Sequence, residues 1–222
     1  MKKKYSNEMQ TLNELLNFLK NPYKASEYRN IKGKEFLFLL LIIIMVVIPF
    51  PLLIELAELD QLDHKLIEML EKNRWLVAIG AIVLAPMIEE PVFRLHLDLK
   101  KASIWWGLAL SIFLIGDFWY PIVLFWGYLI FLQVRVSQGN PPSMKFIVYC
   151  SATFFAIVHM ANFKELDYSE FIFWIPLLVG SQFFEGLILS YIRLNFGIKW
   201  SILFHGAFNA IFILPAVYFF NP

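Results

Sequence analysis

Met87-Ile88-Glu89-Glu90-Pro91-Val92-Phe93-Arg94 interrupts an apolar run that extends from Trp75 to Leu97. Two adjacent carboxylates and a guanidinium stand where a bilayer-spanning helix would carry Leu and Val. Charge at the centre of such a helix costs roughly 2.5 to 3.5 kcal/mol per residue on insertion scales. A chain that keeps three such groups pairs them, lines a cavity with them or uses them in chemistry. Everything else in the sequence reads as a cage around them.

The cage is a membrane protein. Of the 222 residues, 59% are hydrophobic, and the mean hydropathy is +0.62, well above a soluble domain. The net charge of +1 does not bear on nucleic acid, but no basic cluster is interleaved with polar aromatics and no nucleic-acid motif appears, so no nucleic-acid partner is expected. The single cysteine, Cys150, excludes an intrachain disulfide. The N-terminus is long and polar, with no small-residue cleavage site after the first apolar run, so no cleavable signal peptide is expected.

The expected fold is all-α: a polytopic integral membrane bundle of about seven transmembrane helices plus an N-terminal amphipathic helix, judged against the roughly 20 residues a bilayer core requires. Residues 1–34 form the amphipathic segment, with Ser6 as cap and a stripe of Met9, Leu12, Leu15, Leu16 and Leu19. That stripe lies on the membrane surface or packs on the bundle. Residues 35–222 form the transmembrane domain. Its expected spans are 35–55, 75–97, 102–118, 119–134, 144–161, 169–194 and 198–220, with an interfacial helix within 57–74. Lys65, Lys72, Arg74 and Lys164 fall on the side opposite the tail, and all other members of the 19 basic residues fall on the tail side. This bias puts the N-terminus in the cytoplasm.

Polar residues recur at helical spacing in three spans. Glu90 and Arg94 are i, i+4, the favourable order for an ion pair. Glu89 points about 100° away from Glu90 and is left free to face a proton or a water. Pro86 and Pro91 each remove an amide and predict a kinked helix beside a polar cavity. Phe155 and His159 share one face of a later helix, and His205 and Asn209 share one face of the last. Gln182 and Glu185 lie on the span between, where Glu185 has no evident partner and is read as structural or lining a mouth. An acid to activate water, imidazoles to position it and an amide donor for an oxyanion are the parts of a hydrolase. No His-Glu-x-x-His or Gly-x-Ser-x-Gly motif is present.

The order Glu89-Glu90-x-x-x-Arg94, Phe155-x-x-x-His159, His205-x-x-x-Asn209 resembles the CPBP (Abi) family of CAAX prenyl endopeptidases and bacteriocin-processing intramembrane proteases. The likeness covers about residues 76–212 and departs from the usual pattern at Pro91 and Leu95. It implies an all-helical intramembrane endopeptidase acting on a peptide or lipidated peptide near the membrane surface, in a bacterial inner membrane. By resemblance, Glu89 activates the water and His159 holds it. His205 and Asn209 stabilise the oxyanion, and Glu90 and Arg94 organise the site. No tightly bound metal is expected, and zinc on Glu89, His159 and His205 is the alternative. The competing functional reading is a non-catalytic bacteriocin-immunity or partner-binding protein of the same fold. The oligomeric state and the roles of Glu185 and of the hairpin 102–134 are left open.

Overall fold

A computed structural model describes residues 7–59, 65–116, 118–163 and 171–219. The described residues fold into helices: α1 Asn7–Lys20, α2 Gly33–Val47, α3 Pro49–Leu56, α4 Lys65–Ile79, α5 Ala85–Arg94, α6 Lys101–Leu110, α7 Tyr120–Ser137, α8 Met144–Val158, α9 Ile175–Leu178, α10 Gly180–Phe196 and α11 Ile198–Phe219. Five stretches among them are long and apolar enough to cross a membrane: Gly33–Leu56, Lys65–Asp98, Tyr120–Ser137, Met144–Asn162 and Ile198–Phe219. The other two expected spans correspond to the shorter apolar stretch Lys101–Leu114 and to α10. The chain is an all-α polytopic integral membrane protein. Ser6, Asp117, the start of the sixth expected span and the end of the seventh lie outside the described residues.

The position of α10 explains why it differs from the long spans. Thirteen of its residues are buried, from Gly180 and Glu185 to Phe196 on every side of the helix. It packs against α2, α8 and α11, so from Glu185 onward protein rather than lipid surrounds it. The outer helices are one-sided instead. In α2, Leu39, Ile43 and Val47 face the core at i, i+4, i+8, while Leu37, Leu41 and Met45 are exposed. An exposed Leu/Met face is the surface that lipid solvates.

The amphipathic N-terminal helix packs on the bundle, with a face rotated from the expected one. Thr11, Leu15 and Phe18 are buried, whereas Met9 and Leu16 are exposed. Phe18 sets that rotation, because its ring meets Tyr191 of α10 edge-on at 5.3 Å. The Tyr149 hydroxyl closes the end by donating to the Leu19 carbonyl at 2.9 Å. Just beyond, Arg29 bonds the Glu35 carboxylate at 2.6 and 2.8 Å.

The charged stretch arrives on a bent path. Helix α4 begins at Lys65 and breaks at Asn73, whose φ of −164° and ψ of 91° are not helical. The Asn73 side chain then caps the next helical turn, accepting from the Leu76 amide at 3.0 Å. The interfacial helix and the membrane helix are therefore one chain segment with a capped kink. Gly80–Leu84 next forms a π-helical turn that leads into α5.

Candidate active site

The π turn and Pro86 determine which backbone groups are left over. Ala85 donates its amide to the Gly80 carbonyl, five residues back. In that register Ala81 would accept from residue 86, which is proline and has no N–H. Asn209 of α11 supplies the missing donor, with Nδ2 at 2.8 Å from the Ala81 oxygen. One turn earlier on α11 stands Gly206. A Cβ there would lie 2.7 Å from the Ile82 carbonyl oxygen, so only glycine lets α11 approach the turn so closely. Pro86 thus acts through a backbone carbonyl that the last helix satisfies, a pairing of Pro86 with Asn209 that spacing alone did not reveal.

On α5 the two carboxylates separate as the 100° step requires. Glu90 is fully buried. His205 Nδ1 lies 3.1 Å from its Oε1, and Ser201 donates to its Oε2. Arg94, also fully buried, places Nε 3.9 Å from Glu90 Oε2, too far for a hydrogen bond. The expected ion pair is therefore a loose one, and the tight bonds of both residues go elsewhere. Arg94 Nη1 donates to Ser151 Oγ at 3.0 Å and to the Phe93 carbonyl at 3.2 Å. Its guanidinium also lies over the Phe155 ring, 4.7 Å from the centroid.

Phe155 passes that order on to the histidines. Its ring lies edge-on to His159 at 4.7 Å and to His205 at 5.7 Å. Its carbonyl accepts from His159 Nδ1 at 2.7 Å. Helix α8 ends just there, and His159–Asn162 continue as a 3₁₀ turn. Glu89 meets both imidazoles from α5: its Oε2 is 4.0 Å from His159 Nε2 and 3.9 Å from His205 Nε2. That oxygen has no hydrogen-bond partner among the described residues.

All of Glu89, His159, Glu185, His205 and Asn209 line one cavity of about 1190 Å³. Its walls are mostly apolar and include Phe50, Pro51 and Ile54 of α3 and Leu66, Met69 and Leu76 of α4. The six residues singled out in the sequence fall into two groups. Glu89, His159, His205 and Asn209 reach the cavity, while Glu90 and Arg94 lie behind it in the protein. Ser151, Ser201 and Glu185 belong to the same constellation and were not among the six. Ser151 precedes Phe155 by four residues and Ser201 precedes His205 by four, so extending each helical stripe by one turn finds both.

A tetrahedral zinc with ligand bonds near 2.0–2.1 Å brings its ligand atoms to about 3.4 Å from one another. The separations from Glu89 to the two imidazole nitrogens exceed that. Among the described residues, no three His, Cys, Asp or Glu side chains stand at the spacing that holds a metal ion. As arranged, Glu89, His159 and His205 do not fit a three-ligand zinc site.

A bundle of apolar helices enclosing carboxylates, imidazoles and an amide around one cavity defines a polytopic membrane protein with a hydrolase-like site. Residues 71–211 match the family described as Type II CAAX prenyl endopeptidase Rce1-like. The chain belongs to this family of CAAX-type intramembrane endopeptidases, and the match agrees with the resemblance carried by residues 76–212. No curated protein and no solved structure matches the chain.

Proposed function

We propose that this chain hydrolyses a peptide bond of a peptide or lipidated peptide near the membrane surface, with a water activated by Glu89 and no tightly bound metal. One observation carries the reading: Glu89 Oε2 and His159 Nε2 stand 4.0 Å apart, and with Nδ1 donating to the Phe155 carbonyl the neutral imidazole offers Nε2 as an acceptor. A water donating to both, through two hydrogen bonds of about 2.8 Å at its own bond angle, spans roughly 4.4 Å. Two acceptors at this separation fit a donor between them, and water is the smallest.

The chemistry follows from that placement. Glu89 takes a proton from the water as its oxygen bonds to the substrate carbonyl carbon. The carbonyl oxygen becomes an oxyanion, which His205 Nε2–H and the second N–H of Asn209 Nδ2 stabilise. When the C–N bond breaks, Glu89 returns its proton to the departing amine. Glu90 holds His205 from behind. Arg94 holds the Phe155 ring, and through it His159. In the cell we place the N-terminus on the cytoplasmic side of a bacterial inner membrane, a reading supported by the distribution of lysine and arginine.

The test is direct. The protein is reconstituted in liposomes with a set of prenylated and unprenylated peptides, and new termini are read by mass spectrometry. Cleavage by the wild type, and none by a His159→Ala variant that still inserts and folds, is expected. Equal cleavage by both, or intact peptides with the wild type, removes the reading.

A further inference from the structure

Glu185 is a buried carboxylate that the proposed hydrolysis does not use. It stands on α10, whose residues from Glu185 to Phe196 are all buried, and is only 4% exposed. Its Oε1 has no hydrogen-bond partner among the described residues and lies 3.7 Å from His205 Nε2. The same nitrogen faces Glu89 Oε2 at 3.9 Å, and that oxygen is equally without a partner there. His205 Nδ1 is already taken by Glu90. Both ring nitrogens of His205 therefore face carboxylate oxygen.

A bare nitrogen lone pair there would face two carboxylate oxygens, acceptor against acceptors, in a buried site. At 3.7 and 3.9 Å those oxygens lie beyond direct hydrogen-bond reach, and a proton on that nitrogen acts on them through its charge, offsetting part of theirs. The groups that face Glu185 are His205 from α11, and Glu89, Glu90 and Arg94 from α5, with His159 at the end of α8 on the far side of Glu89. Arg94 is the fixed cation of this set. A second cation at His205 brings three carboxylates closer to balance.

We propose that Glu185 is a positioning residue of this site, holding the Nε2 side of His205 so that its N–H points into the cavity. Glu90 then bonds one side of the imidazole, Glu185 draws the other by its charge, and Glu89 is left to its water. The proposal deepens the peptidase reading and rests on it for its consequence in turnover, but the state of His205 can be measured without any substrate.

The test uses Glu185→Gln, which keeps shape and volume, and Glu185→Asp, which keeps the charge. Side-chain ¹⁵N NMR of the full-length protein, with His205 identified by difference from His205→Gln, reads both ring nitrogens. Protonation at both nitrogens in the wild type, loss of the Nε2 proton in Glu185→Gln and its retention in Glu185→Asp are expected. In proteoliposomes Glu185→Gln is expected to lower kcat by roughly tenfold to a hundredfold with little change in KM, the size of effect seen when a histidine's orienting partner is removed. Glu185→Asp restores part of that loss. Wild-type His205 signals in Glu185→Gln overturn the proposal, whether or not peptides are cleaved. A wild type that cleaves nothing while the NMR result holds overturns the peptidase reading alone. If Glu185→Gln does not fold, a wild-type His205 lacking the Nε2 proton is the overturning result.

Discussion

Asn209 donates to the backbone carbonyl of Ala81, 128 residues away in sequence, at 2.8 Å. This bond joins the last helix to the π turn that precedes the carboxylates. It fixes the height of His205 relative to Glu89, because His205 and Asn209 are neighbouring turns of α11 and Glu89 follows the π turn on α5. The amide therefore makes a structural bond at the wall of the cavity. Asn209→Asp puts a carboxylate oxygen against the Ala81 oxygen and is expected to lower stability by about 1–3 kcal/mol, the cost of an unsatisfied buried group. Thermal unfolding in detergent checks this, and an unchanged midpoint contradicts the role of the bond.

Ser201 predicts a second loss. It is fully buried and donates to Glu90, so Ser201→Ala leaves a buried carboxylate with one donor fewer. Removing one partner of a hydrogen-bonded buried charge is expected to cost about 1–3 kcal/mol. Because Ser201 does not touch the cavity, the folded variant is expected to keep most of its turnover. A variant as stable as the wild type would show that the bond contributes nothing.

Gly186 lets α10 lie close against α8. A Cβ there would lie 3.1 Å from the Ala152 Cα and 3.3 Å from Arg94 Nη2, so a side chain pushes the helices apart or displaces the guanidinium. Gly186→Val is expected to destabilise by about 1–3 kcal/mol, as overpacking of a filled core does, and to reduce activity through Arg94 and Phe155. Thermal unfolding and turnover of the same preparation check both effects. The small residue is the local condition that lets two membrane helices touch.

Metal dependence is decided by chelation. With donors wider apart than a zinc site requires, cleavage is expected to continue after prolonged incubation with a strong chelator and removal of the chelate. Loss of cleavage that returns on adding Zn²⁺ contradicts the metal-free reading. Structural or catalytic zinc binding is tight enough that the incubation must be long.

Much of the site was legible because helical geometry is local. The i, i+4 pairs Glu90/Arg94, Phe155/His159 and His205/Asn209 each share a face, and the one-residue step from Glu89 to Glu90 separates their directions; none of this needs tertiary information. What a residue meets across the bundle does. The spacing of Glu90 and Arg94 suggested a tight pair, and Ser151, Ser201 and His205 draw it loose. Glu185 had no partner in its own helix, and its place beside His205 depends on α10 and α11 being neighbours. The π turn at Gly80–Leu84 has no clear signature beyond Pro86 following it. In α1, Phe18 rather than Met9 or Leu16 faces the bundle, because Tyr191 waits for it there. Five of the seven expected spans are long and apolar enough to cross a membrane, whereas α10 is shorter and more enclosed than its neighbours, since helices can supply its surroundings in place of lipid.

The central claim is that Glu89 draws a proton from a water it shares with His159. The turnover of Glu89→Gln in proteoliposomes, with insertion and thermal unfolding measured alongside, tests it most directly. The expected result is a loss of roughly a hundredfold to ten-thousandfold, the range for removing a general base, in a variant that folds like the wild type. Turnover equal to that of the wild type would contradict the account.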